Sequence, residues 1–150
     1  MAHGVELLAD PVAERLLGST NPARLAYNWT DGTVRVVPIC FHWDGSAMYF
    51  ATQPHAPKVK ALTADPRVAV TVDGVTFPFE VLLLRGDVSI EFSEGLVPEY
   101  AAAVHRYMGP EIAPGWLAQL EGQPMAKITF RPDWVTVLDF QTRFPSAMGA

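Results

Sequence analysis

The sequence predicts a mainly β protein, with roughly six antiparallel strands that close into a small barrel and two or three helices inserted between them. Two observations lead to this fold class. Short apolar segments alternate along the chain with tight-turn signals such as Asp31-Gly32 and Asp44-Gly45. Several of these segments alternate apolar and polar residues at period two, as a strand with one wet face does. The length of 150 residues predicts a single domain over residues 1–150.

The first elements are a helix and three strands. Asp10-Pro11 is typical of a helix start, because an acceptor side chain precedes a proline at a position that needs no backbone donor. A helix to about Gly18 should cover one end of the barrel. Strands are predicted over residues 24–30, 33–43 and 47–52, and the two Asp-Gly turns should join them into an antiparallel meander.

The later elements alternate between helices and strands. Pro57 is well placed to open a helix reaching about Ala64. Two long strands should follow, and then two helical stretches separated by Gly109-Pro110. The predicted ranges are strands over 67–73 and 80–92, helices over 98–107 and 114–120, and closing strands over 125–131 and 135–140, bent at Pro132.

The composition of the chain indicates which kinds of partner the protein binds. Apolar residues make up 49% of the chain and charged residues 18%, so part of the apolar surface should be hidden in a subunit interface. No apolar run approaches the roughly 18 to 20 residues that span a bilayer, and the acidic N-terminus does not resemble a signal peptide. A cytoplasmic protein that does not bind membranes is therefore expected. The net charge of −5 also disfavours nucleic-acid binding.

The second strand is apolar on both faces between Val36 and Phe41. Since an antiparallel strand usually wets one face, one side should fill the barrel while a subunit, a ligand or both cover the other. Pro38 donates no backbone hydrogen bond, which leaves neighbouring main-chain groups free to face a flat polar ligand edge. Cys40, the single cysteine, is predicted to be a small core residue.

Polar residues cluster where the third strand should lead into a helix. They are Thr52, Gln53, His55, Lys58 and Lys60. A helix N-terminus exposes free N–H groups and a partial positive charge, to which a lysine adds a full one. Such a junction can hold a phosphate, although solvated lysines on an ordinary helix would produce the same pattern.

The order of these segments resembles that of a known family. A strand containing VVP, then WDG, a strand ending YFAT, PKVKAL and DPRVAVTVD follow one another, with LLLRGDVSI and FRPDW further on. From about Leu17 to Leu138 the chain resembles the pyridoxamine 5'-phosphate oxidase-like split β-barrel proteins, which bind FMN or the deazaflavin coenzyme F-420. The resemblance implies a six-stranded split β-barrel homodimer with cofactors in clefts between the subunits.

The resemblance also implies roles for particular residues. Val37, Pro38 and Ile39 match the strand segment that lies along the isoalloxazine ring. Thr52 matches a hydroxyl residue at the end of the third strand, and Lys58 matches the lysine that meets the cofactor phosphate.

Gln53 and Lys60 are further cofactor-binding candidates at the same end of the site. Ala56 departs from the pattern, because many relatives carry arginine there. Lys60, His55 or a residue of the second subunit would have to compensate.

Several functions stay open on this basis. The first is an oxidoreductase that transfers hydride from a reduced cofactor to a small organic acceptor; the alternative is a non-catalytic flavin or deazaflavin carrier, with the cleft closed by the bulk around Phe77, Pro78 and Phe79. Haem binding lacks a persuasive axial ligand among the four histidines. Oxidation of pyridoxamine phosphate itself is disfavoured, because few arginines are present to bind the substrate phosphate.

The cofactor and the catalytic residues are less well defined. FMN is narrowly favoured over F-420, because the negative net charge and Ala56 disfavour a long acidic tail. His42 and His105 are candidate proton donors by residue type alone. Trp134 and Arg143 either pack on their own protein or enter the partner's cleft, where they would stack or pair with an anion.

Overall fold

The computed structural model describes residues 2–143 and consists of one antiparallel sheet with three helices and a short 3-10 helix. The 3-10 helix spans Val5–Ala9, and the helices are α1 (Pro11–Leu17), α2 (Pro57–Ala64) and α3 (Pro98–Gln119). The strands are β1 (Ala23–Asn28), β2 (Val34–Ile39), β3 (His42–Trp43), β4 (Met48–Thr52), β5 (Arg67–Asp73), β6 (Glu80–Ser93) and β7 (Met125–Asp139). The mainly β class with flanking helices is confirmed, with seven strands rather than six.

The predicted strand over 33–43 is divided in the structure. The strand order is β2-β1-β5-β6-β7-β4-β3, so β2 and β3 lie at opposite edges of the sheet. Cys40 and Phe41 carry the chain from one edge to the other, and Phe41 is fully buried in the core. Because the two edge strands are not hydrogen-bonded to each other, the sheet is not closed into the barrel that was predicted.

The predicted meander was only partly right. β1 and β2 form a hairpin around Asp31-Gly32, with Gly32 at φ 87 and the Trp29 N–H donating to the Thr33 carbonyl over 2.8 Å. β4, however, pairs with β3 and β7 and not with β2. The interruption after Ile39 is the reason, since it releases the chain from β1 before it reaches β4.

The helix α3 folds back on itself. Gly109 has φ 81 and ψ 169, and Trp116 Nε1 donates a hydrogen bond of 2.9 Å to the Tyr100 hydroxyl. In a straight helix these two residues would lie about 24 Å apart along the axis. The predicted break at Gly109-Pro110 is confirmed, but the second helical half begins at Pro110 rather than Pro114, since a proline in the first turn removes no helical hydrogen bond.

β7 is a single strand with an irregularity at the predicted bend. Gly86 of β6 pairs with Pro132 and Arg85 pairs with Trp134, so Asp133 is the extra residue of a bulge. A Cβ at Gly86 would lie 2.7 Å from the carbonyl oxygen of Arg131. Glycine is therefore required for the close approach of the two strands.

The core lies on the concave face of the sheet. Phe50 and Phe130 are among its largest fully buried side chains. α1 packs against β5, β6 and β7, and its predicted cap is confirmed by a hydrogen bond of 2.9 Å from the Val12 N–H to Asp10 Oδ1. Among residues 2–143, no helix combines the length and apolar character needed to cross a bilayer.

Candidate functional site

The two faces of β2 differ as the sequence predicts. Val37 and Ile39 are half-buried and pack against the core, whereas Val34 is 73% and Val36 is 64% exposed. The placement of Cys40 in the core was wrong, because Cys40 is exposed. Of the two residues that connect β2 to β3, Phe41 and not Cys40 points into the core.

The exposed face of β2 continues over the neighbouring strands. Val36 and Ala69 lie opposite Ala26 of β1 in the strand register, one on each side. These residues line a shallow concavity of about 390 Å³ together with Phe79 and Val81. An ion pair of 2.9 Å between Arg24 and Asp73 borders it. A largely apolar outer surface thus spans four strands.

The junction between β4 and α2 contains three of the predicted cofactor-binding residues, Thr52, Gln53 and Lys58. Thr52 ends β4 and is half-buried, while Gln53 is exposed. The Ala56 N–H donates to the carbonyl of Gln53 over 3.0 Å. No side chain within residues 2–143 caps the N-terminus of α2. Pro57 has no N–H, and the Val59 N–H donates to the carbonyl of Ala56 over 2.9 Å, so the Lys58 N–H is the one first-turn donor without a partner among the described residues.

Lys58 and Lys60 occupy different environments on α2. Lys58 is half-buried and makes no hydrogen bond or ion pair with any other described residue, and burial lowers the pKa of its ammonium group. Lys60 is exposed. Residues two apart on an α-helix point about 200° from each other, so the structure does not bring the two ammonium groups to one compact anion.

α2 and the predicted ring wall adjoin the same strand. α2 contacts β1, and β1 pairs along its length with β2, where Val37, Pro38 and Ile39 lie. Within the described part of the chain β2 has no strand on its other side. Its free edge therefore offers backbone groups to a ligand.

Trp134 and Arg143 are engaged within their own chain. The Arg85 guanidinium lies 4.0 Å from the centre of the Trp134 ring, and His3 stacks against the same ring at 5.8 Å. Arg143 donates to Asp10 over 2.9 Å. Burial opposes ionisation of Asp10. The hydrogen bonds from Arg143 and from the Val12 N–H nevertheless hold the pKa of Asp10 below its usual value.

The candidate proton donors lie on β3 and α3. His42 is on β3, where its ring stacks with Tyr49 at 6.2 Å. His105 is exposed on α3. Within residues 2–143, no three His, Cys, Asp or Glu side chains are grouped so that they could hold a metal ion.

One residue of structural importance was missed at the sequence level. Arg106 of α3 donates to the carbonyl oxygens of Ser19 and Phe41, and its guanidinium lies 4.8 Å from the centre of the Phe41 ring. It thereby ties α3 to the crossing between β2 and β3. No sequence pattern indicates this, because the three residues lie far apart in the chain.

The described fold is an open antiparallel sheet with flanking helices and a largely apolar outer face. The model of the pyridoxamine 5'-phosphate oxidase family matches residues 9–139. The chain therefore belongs to the pyridoxamine 5'-phosphate oxidase family.

Solved structures share this fold. An F-420 reductase is 28% identical, with 81% of this chain and 93% of that chain covered and a TM-score of 0.64. A conserved hypothetical protein from Mycobacterium tuberculosis is 18% identical, with coverages of 90% and 84% and a TM-score of 0.68. The haem storage protein HutZ from Vibrio cholerae is 16% identical, with coverages of 83% and 89% and a TM-score of 0.59. No curated protein matched the sequence.

Proposed function

We propose that the protein is an oxidoreductase that binds a flavin or deazaflavin cofactor between two subunits and reduces a small organic acceptor. Membership of the family and the similarity to an F-420 reductase support this function. The observation that carries it is the half-buried, unpaired ammonium group of Lys58 on α2, a helix that packs on β1, the neighbour of the edge strand β2.

Lys58 has a charge that the described fold does not balance. A half-buried ammonium group loses part of its hydration, and it normally recovers this loss from a carboxylate or another acceptor. Lys58 has neither among residues 2–143. A phosphate at the start of α2 would supply the missing anion and would also accept from the unpaired backbone N–H of Lys58.

The edge strand β2 suits a flat ring system. Val37 and Ile39 provide apolar surface, and Pro38 leaves the ladder without a donor at its position. The pyrimidine edge of a flavin needs both donors and acceptors, and an unpaired strand edge offers them. Thr52 lies at the end of β4, directly before the α2 junction, and would add a hydroxyl group there.

Between the two cofactors, the comparison favours the deazaflavin F-420. The F-420 reductase is similar in sequence as well as in fold, and this outweighs the argument for FMN from net charge. FMN is the alternative. Bound and reduced, either cofactor supplies a hydride; a neutral acceptor takes this hydride and one proton from water, and so gains two electrons.

A homodimer would complete the site. The outer face around Val34 and Val36 leaves large aliphatic side chains in water, and a second copy of the chain would cover them. The low share of charged residues supports the same assembly. Cofactors would then lie in the clefts between the two subunits.

A non-catalytic carrier is the second candidate, and one observation favours it. Phe77 is 79% exposed and meets Phe79 edge to face at 5.7 Å. Phe79 also lines the outer concavity beside Val36. If this aromatic pair covers the bound ring, no room is left for a substrate.

The proposal is tested by titrating the purified protein with F-420 and with FMN, while binding is monitored by absorbance and fluorescence. Lys58→Ala should weaken binding of the preferred cofactor by about 1 to 3 kcal/mol, the value of a hydrogen bond to a charged group. Lys60→Ala, on the opposite side of the same helix, is the matched control and should leave the affinity nearly unchanged. If neither cofactor binds at micromolar concentration, the proposal is wrong.

Turnover separates the two candidates. The reduced cofactor is mixed with quinones and enones in the presence of the protein, and its reoxidation is followed by absorbance. Catalysed reoxidation supports the oxidoreductase, whereas tight binding without turnover supports the carrier.

A further inference from the structure

A cleft lies between the N-terminal helices, β3 and α3. Its volume is about 750 Å³, which lies in the usual range for small-molecule sites. Its floor is β3. Its lining includes the apolar residues Val5, Leu8, Leu17, Trp43 and Ala102, and the polar or charged residues Glu6, Glu14, His42 and Arg106 at the rim.

The interior of the cleft is apolar and partly flat. Val5 remains half exposed although it faces this space. Trp43 presents an indole ring, and Leu8 and Leu17 provide aliphatic walls. Such a lining suits a planar molecule of modest size.

The charge left free in the cleft is negative. Glu6 and Glu14 are exposed, and neither carboxylate makes a hydrogen bond or ion pair with any residue in the range 2–143. Arg106 carries a positive charge, but its guanidinium donates to the carbonyls of Ser19 and Phe41 and packs on aromatic rings. A cationic ligand is therefore the complementary one.

The cleft begins close to the proposed ring wall. His42 at its rim follows Ile39 of β2 by three residues, a reach of about 10 Å at most in extended chain. Arg106, also at the rim, is bonded to the intervening Phe41. The wall of the cleft at His42 is therefore within about 10 Å of the end of β2.

We propose that this cleft binds a planar aromatic cation of the iminium type, and that this cation is the acceptor of the proposed reaction. The assignment as acceptor rests on the proposed function, whereas binding in the cleft does not. In the reaction, hydride adds to the carbon of the C=N⁺ bond, the π electrons become the nitrogen lone pair, and the cofactor is oxidised by two electrons. The product is a neutral amine, so no proton donor is needed.

Binding to the cleft is tested first, by calorimetry with three two-ring probes of similar shape. N-methylquinolinium is cationic, 1-methylnaphthalene is neutral and 1-naphthoate is anionic. An exposed carboxylate near a cation changes affinity by about 1.5- to 5-fold. The cationic probe should therefore bind most tightly, the neutral probe less tightly and the anionic probe least, with roughly a tenfold difference in affinity between the cation and the anion. An anion that binds as tightly as the cation would overturn the charge assignment.

Two variants locate the binding. Ala102→Trp fills the cleft and should weaken binding of N-methylquinolinium at least tenfold, whereas Ala118→Trp, at an exposed position of α3 outside the cleft, should not. A double variant that carries both Glu6→Gln and Glu14→Gln should bind the cationic and neutral probes with equal affinity. Glu111→Gln, an exposed acid away from the cleft, is the control. Unchanged binding in Ala102→Trp would place the probe elsewhere and refute the site.

Turnover tests the acceptor separately. With reduced cofactor, N-methyl-3,4-dihydroisoquinolinium should be reduced to the tertiary amine, and Ala102→Trp should raise its KM while the cofactor affinity stays unchanged. Cofactor binding without this reduction would overturn the acceptor assignment. Absence of cofactor binding would instead overturn the proposed function, and the probe titrations would still decide whether the cleft is a site.

Discussion

Replacing Lys58 by methionine should stabilise the ligand-free protein and weaken its binding of an anionic cofactor. Burial lowers the pKa of Lys58 below the unfolded value of 10.5, so the charged ammonium disfavours the folded state wherever it is protonated in both states. A group that keeps part of its hydration loses much less than the several kcal/mol per ion that full burial costs. Methionine removes this cost and adds apolar contact worth about 0.8 kcal/mol per buried CH₂, so we expect a gain of about 1 kcal/mol at pH 7.

The pH dependence of this gain has a definite sign. Between the folded and the unfolded pKa the unfolded chain binds more protons, so the stability of the wild-type protein rises with pH through that window. The methionine variant lacks this titration. Its advantage should therefore be complete at pH 7 and should shrink as the pH rises toward and beyond 10.5.

Urea unfolding of the two proteins at pH 7 and at higher pH measures this difference, with Lys60→Met as the control at an exposed position. For a chain of this length, 1 kcal/mol corresponds to a shift of about 2 to 4 °C in Tm. A loss of 1 kcal/mol or more in Lys58→Met would contradict the reasoning. It would mean that the fold itself satisfies the ammonium group, which would remove the argument for an anion at this position.

Further substitutions test the fold and the assembly. Gly86→Ala places a Cβ 2.7 Å from a backbone carbonyl of β7 and should lower the free energy of unfolding by about 1 to 3 kcal/mol, measured by urea titration; wild-type stability would exclude the tight approach. Asp10→Ala removes the cap of α1 and the partner of Arg143 and should cost about 1 to 2 kcal/mol at pH 7. Because the pKa of Asp10 is lowered on folding, its contribution should be full above the unfolded value of 3.8 and fade as the pH falls below it, so an effect that persists at pH 2 would argue against this origin. Val36→Lys should convert the proposed dimer to a monomer in light scattering, whereas Ile112→Lys, which also replaces an exposed apolar side chain, should not; a dimer that survives Val36→Lys would place the interface elsewhere.

Local chemistry made most elements predictable from the sequence. The helices beginning at Pro11 and Pro57 occur where acceptor, proline and turn residues indicate them. The hairpin at Asp31-Gly32 and the break at Gly109 follow in the same way, because glycine reaches positive φ without strain. These features depend on a few neighbouring residues, so no knowledge of the rest of the fold is needed.

The candidate site was predictable only in part. The apolar character of β2 on both faces indicated an uncovered surface, and the exposure of Val34 and Val36 agrees with it. Residue type and spacing do not distinguish Lys58 from Lys60, although the family resemblance matches Lys58 to the phosphate-binding lysine. Only the packing of α2 buries one and exposes the other, since the direction in which a helix face points is set by what the helix packs against.

By itself, the sequence determined the β-rich class and most of the helix starts and turns, and it predicted a stretch in which a ligand should bind. Tertiary structure decided that this stretch splits after Ile39, so that β2 and β3 form opposite edges of one open sheet. It also brought Arg106 to the crossing and formed the cleft between the N-terminal helices and α3. The physical reason is that these features arise from contacts between residues far apart in the chain, and such contacts leave no periodic or local pattern in a single sequence.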